Sequence, residues 1–112
     1  MLGIWNWRLS PKILLAKRRI RRLALARGIH PKWISSIGAI DVDPKHLAFW
    51  VATDKDWERD QLLDDLSFTR DCLQALLQCG YPEEAVQFVG VAVESQQTVD
   101  RDFLGRWYWA MK

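Results

Sequence analysis

No side chain before Asp41 carries a negative charge. Residues 1–32 hold nine basic residues (Arg8, Lys12, Lys17, Arg18, Arg19, Arg21, Arg22, Arg27 and Lys32), whereas residues 33–112 hold fourteen acids against seven bases. The modest net charge of +2 therefore hides a cationic arm joined to an anionic body. Such polarity speaks to steering and choice of partner, not to fold. Histidine is nearly as scarce, with only His30 before a proline and His46 in a turn. Neither has a cysteine or carboxylate at a spacing that predicts a metal site, so no metal and no cofactor is expected. The run Asp41-Val42-Asp43 resembles the start of a calcium loop but lacks the glycine and the distal glutamate. A glycine-rich phosphate loop and a nucleophile elbow are also missing. Asp64 and Asp65 would sit about 100° apart on a helix, a poor arrangement for a shared acid/base site. No enzymatic activity is expected of so few candidate groups.

Cysteine is limited to Cys72 and Cys79, seven residues apart in a helical pattern. At 1.5 Å per residue they lie roughly 10 Å apart, beyond the span of a disulfide. Two buried small hydrophobes in a reducing compartment is the simple reading, and it favours the cytoplasm. No run of 18 apolar residues exists to form a spanning helix. Positive charges follow the apolar opening instead of preceding it, which argues against a secretory signal.

What the chain does have is 49% hydrophobic residues in 112, enough for one folded domain over residues 1–112. Seven tryptophans are the compositional outlier, suited to a core or to a binding surface. Ser10-Pro11 reads as a helix start and Gly28 as its stop. Between them Ile13, Ala16, Ile20, Leu23 and Ala24 form one narrow apolar stripe, a docking face for the body. Lys17, Arg18, Arg19, Arg21 and Arg22 share the remaining arc with Leu14, Leu15 and Leu25. Those leucines need a second contact or stay exposed.

After a linker at 27–31 the apolar period shortens to about two. Segments 34–42 and 47–53 read as a hairpin around Asp43-Pro44-Lys45-His46. A single long helix is then expected, starting between Asp56 and Asp60 and ending at Cys79 with Gly80 beyond. Leu62, Leu66, Thr69, Leu73, Leu76 and Leu77 would be its apolar side. A third strand is read at 87–94, a polar stretch with one helical turn at 95–102, and a fourth strand at 105–112. The expected fold class is α+β: an N-terminal basic helix (1–32) followed by a ββαββ body (33–112). That body would hold a four-stranded antiparallel or mixed sheet crossed by one long helix.

The segment 46–54 (HLAFWVATD) before an acidic helix start, then 88–94 (FVGVAVE), 94–102 (ESQQTVDRD) and a tryptophan-rich end, resembles small bacterial immunity proteins. These belong to contact-dependent growth inhibition systems. The resemblance covers roughly residues 33–112 and implies a cytoplasmic protein without activity of its own that binds and neutralises one cognate toxin domain, commonly a nuclease. It assigns no binding residue. Charge complementarity to a cationic nuclease groove singles out Asp54, Asp56, Glu58, Asp60 and Asp64, with Trp57 as the aromatic anchor. The alternative expectation is a nucleic-acid or ribosome-associated protein. Lys17, Arg18, Arg21 and Arg22 would then meet phosphates, while Trp5, Trp7 or Trp33 stack on bases.

Overall fold

The computed structural model describes the backbone of residues 2–112 and the side chains of residues 8–112, so the roles considered for Trp5 and Trp7 fall outside the described side chains. Helix α1 spans Leu2–Ala26, with Pro11 inside it instead of at its start. Proline there forfeits its own N–H bond, and carrying the helix upstream lets Leu9 join the apolar stripe at 2% exposure. Along that stripe Ile13, Ala16, Ile20 and Ala24 are buried and Leu23 packs at its margin. The C-terminus closes with Gly28 at φ 79°. The N–H of Gly28 bonds Leu25 O at 2.9 Å and that of Ile29 bonds Ala24 O at 3.0 Å. This paired arrangement satisfies the last carbonyls and requires a left-handed residue at 28.

The sheet has three strands in the order β1 (Trp33–Ile37), β2 (Ala48–Thr53), β3 (Gly90–Ser95). The β1/β2 hairpin is antiparallel, with Trp33 opposite Ala52, and β3 runs parallel to β2, with Ala48 opposite Gly90. β1 is shorter than the expected 34–42 because Gly38, at φ +121°, turns the chain against the hairpin's return. A Cβ there would fall 1.9 Å from the carbonyl oxygen of His46. The turn itself holds a 3₁₀ segment, Pro44–His46, whose first available N–H, that of Lys45, donates to the capping Asp43 Oδ1 at 2.9 Å.

The expected single long helix is two. α2 (Asp56–Asp64) and α3 (Leu66–Gln78) meet at Asp65, whose backbone is extended at φ −87° and ψ 95°. Asp65 caps α3 by accepting from Ser67 N at 3.0 Å. An aspartate that can cap competes with helix continuation. The break rephases the apolar side: Leu62, Phe68, Cys72, Ala75 and Leu76 are buried, while Leu66 is 88% exposed. Gly80 ends α3 at φ 96°, with Gly80 N bonding Leu77 O and Tyr81 N bonding Leu76 O. A short α4 (Glu83–Val86) completes the crossover to β3.

The expected fourth strand is also replaced. Past β3 come α5 (Gln96–Phe103) and α6 (Trp107–Ala110), separated by Leu104 at φ 55° and Gly105 at φ 77°. Two left-handed residues in succession end the helix and cannot enter an extended ladder. Of the tryptophans whose alternation suggested a strand, Trp107 meets Trp33 edge-on at 4.6 Å, whereas Trp109 is 49% exposed. The fold is therefore α+β with a three-stranded mixed sheet, not the four-stranded ββαββ body expected. α1 does not cover the second face of that sheet. It lies beside α3 over the face that presents Phe49, Val51 and Val93, and all join one core cluster.

Candidate functional site

Because β2 and β3 are parallel, both deliver their carboxyl ends to the same edge, where α2 and α5 begin. Ser95 is the last residue of β3 and the N-cap of α5, accepting from Thr98 N at 3.0 Å. Its hydroxyl donates to Asp56 Oδ1, which also accepts from Thr98 Oγ1 at 2.6 Å. Arg101 Nη1 donates to Asp56 Oδ2 at 2.9 Å. The hydrogen bonds from Ser95, Thr98 and Arg101, in that order, hold the Asp56 carboxyl well below the usual carboxylate range. Arg59 links Glu94 and Asp60, each at 2.9 Å, and reaches Thr98 Oγ1 at 2.6 Å. Trp107 Nε1 donates to Gln96 Oε1 at 2.9 Å. The edge is a stitched seam between helices.

This seam divides the acidic residues named from the sequence. Asp56 is consumed, with its side chain 27% exposed. Glu58 accepts from Lys55 N at 2.8 Å and so caps α2, and Asp60 is paired with Arg59. Asp54 and Asp64 are exposed and form no ion pair among the described residues. Trp57 is 60% exposed. At 100° per residue Trp57, Asp60 and Asp64 occupy one outward arc of α2, and Asp54 lies just before its start. No family model, curated protein or solved structure matches this chain.

The cations divide in a similar way. Lys12 Nζ donates to Gly80 O at 3.1 Å, Arg19 to Gln78 Oε1 at 3.4 Å and Arg21 to Pro31 O at 3.1 Å. Lys17, Arg18 and Arg22 make no ion pair among the described residues. Arg27, in the turn that follows α1, is the exception. It contacts Asp65 at 2.6 Å, Asp71 at 3.2 Å, Ser67 Oγ at 3.0 Å and Leu23 O at 2.9 Å, with its guanidinium 5.3 Å from the Phe68 ring centre. The Ser67 hydroxyl and then Arg27 lower the Asp65 carboxyl to about 2. This latch ties the end of α1 to the α2/α3 break.

Sequence reading missed both the latch and the seam. In the run Asp100-Arg101-Asp102, Arg101 bridges Asp102 and Asp56, and Asp100 accepts from Gln96 Nε2 at 2.8 Å. A Ser-x-x-Thr run directly after a strand was the available signal, because serine there caps the next helix. In the seam the Ser95 and Thr98 hydroxyls do meet the Asp56 carboxylate, but Ser95 is fully buried and a carboxylate held well below its ordinary range is a weak base. The Cys72 thiol is pushed up to about 12 by burial, the opposite of an activated nucleophile. Among the described residues no group of three His, Cys, Asp or Glu side chains could hold a metal ion.

Proposed function

We propose that the protein is a non-enzymatic binding protein of the immunity type, neutralising a cognate toxin domain by direct contact. A nuclease domain is the form of toxin that fits best. The reading is carried by one observation: a tryptophan 60% exposed on a short helix, in line with carboxylates that the fold itself does not neutralise. Exposed tryptophan is a poor choice for a solvated face and a frequent anchor where partners dock. Asp54 and Asp64 flank it, with Asp60 shared with Arg59. An anionic surface of this kind complements the cationic groove with which a nuclease holds its substrate.

Asp56 and Glu58 support the patch from behind. Both shape the start of α2, so they position Trp57 and are not themselves free to meet a partner. The test is co-expression and affinity capture with the product of the adjacent upstream gene. Stable association with the unaltered protein, lost in Trp57→Ala and weakened in Asp54→Asn/Asp64→Asn, is the expected result. A neighbour that is no toxin, or one that fails to associate, removes the reading. Equal capture by the Trp57→Ala protein places the contact elsewhere.

A further inference from the structure

The outer face of α1 is separate from that patch and has a different chemistry. Opposite the buried stripe, Leu14, Leu15, Arg18, Arg22 and Leu25 fall within about 100° of arc at 100° per residue. Leu14 is 51% exposed, Leu15 47% and Leu25 40%, and no residue of the helix is acidic. These leucines stay about half exposed, and Arg18 and Arg22 have no carboxylate partner among the described residues. We propose that this face docks on an anionic phospholipid surface, with the helix lying in the plane of the interface.

Charge decides among the occupants. A second copy seated face to face would bring Arg18 and Arg22 against their own equivalents, so self-association through this face is opposed. Polynucleotide phosphates would satisfy the arginines but leave three leucines pressed against a polar backbone. A lipid interface takes both groups, since aliphatic side chains enter the acyl boundary while arginine keeps its head group among the phosphates. The helix lies on the surface and does not cross it: among the described residues no helix is long and apolar enough to span a membrane.

The test is co-sedimentation of the full chain with vesicles of phosphatidylcholine, with and without phosphatidylglycerol as the anionic lipid. Binding is expected only to the anionic vesicles and should weaken as salt is raised. At roughly fivefold per cation near such a surface, Arg18→Gln/Arg22→Gln lowers the partition coefficient about 30-fold. Leu14→Ser/Leu25→Ser lowers it on the order of tenfold or more while leaving the arginines in place. All four positions are exposed, and an unchanged thermal melt confirms that each variant is folded. Absence of binding, equal binding to neutral vesicles, or full retention in the leucine variant overturns the proposal. So does a gel shift of an RNA duplex that survives the leucine substitutions in a protein that ignores vesicles, the outcome expected of a nucleic-acid face.

Discussion

α1 and α2 both carry a strong net charge of one sign, yet they dispose of it in opposite ways. On α2 the carboxylates nearest the helix start are bound within the fold: Asp56 by Ser95, Thr98 and Arg101, Glu58 by the backbone of Lys55. In the arm, among the described residues, a single cation, Arg27 just past the end of α1, is held by carboxylates, and the outward arginines Arg18 and Arg22 are not. The −7 body packs along the apolar stripe of the +9 arm, but among the described residues its carboxylates meet the arm's cations only at Arg27. A count of charges thus says little about which are available to a partner, and hydrogen-bond partners say a great deal.

The sharpest way to break the contrast is to compare the two faces of α1. Ile20 is fully buried, so Ile20→Ala should destabilise by about 2–5 kcal/mol in urea unfolding, the cost of lost transfer energy and of a cavity. Leu15→Ala, at 47% exposure, should change stability by no more than about 0.5 kcal/mol. Similar losses at both positions would mean that the outer leucines are covered and that the proposed docking face does not exist.

A smaller effect is expected at the latch. Arg27→Gln removes charged hydrogen bonds to Asp65 and Asp71 from a side chain only 18% exposed. Hydrogen bonds to charged groups contribute about 1.5–3 kcal/mol, and the substitution should cost an amount in that range. Arg18→Gln, with no ion-pair partner to lose among the described residues, should be neutral in the same measurement. Hydrogen exchange should place the added opening of Arg27→Gln at the α2/α3 junction and the end of α1.

How far the sequence could foresee this arrangement depends on the range of each interaction. The stripe Ile13, Ala16, Ile20 and Ala24 is legible because helical period alone places it. Gly28 and Gly80 are legible as stops for the same local reason. The division at Asp65 was not, since the leucines at 62, 66, 73 and 76 continue a helical pattern through it. What breaks the helix is a cap locked by Arg27, thirty-eight residues away. The fourth strand failed because alternating tryptophans at 107 and 109 imitate a period of two, while Leu104 adopts a left-handed backbone that its side chain does not announce. For the candidate site, the exposure of Trp57 and Asp64 follows from local helical period, but the loss of Asp56 to Ser95 and Thr98 depends on β3 lying parallel to β2. Strand order is a long-range fact.

The last and most graded test uses pH, because the seam and the latch each hold a carboxylate whose acidity is raised by folding. Asp56 titrates well below its ordinary range and Asp65 at about 2, against roughly 3.9 for an aspartate in an unfolded chain. A folded-state value below the unfolded one means that the unfolded chain takes up protons first. The stabilisation from both groups is therefore complete above about pH 5 and is lost as the pH falls from about 4 toward 2 and below. Urea midpoints measured between pH 5 and pH 2 should drop along that limb. Asp65→Asn should be less stable at neutral pH and show a shallower limb, and Asp56→Asn/Asp65→Asn a shallower one still. Asp54→Asn/Asp64→Asn, which alters carboxylates that form no ion pair among the described residues, should leave the urea midpoint at neutral pH as it is. If that variant is destabilised there as much as the Asp65→Asn protein, the division between bound and available carboxylates around α2 is wrong, and with it the choice of Asp54 and Asp64 for a partner.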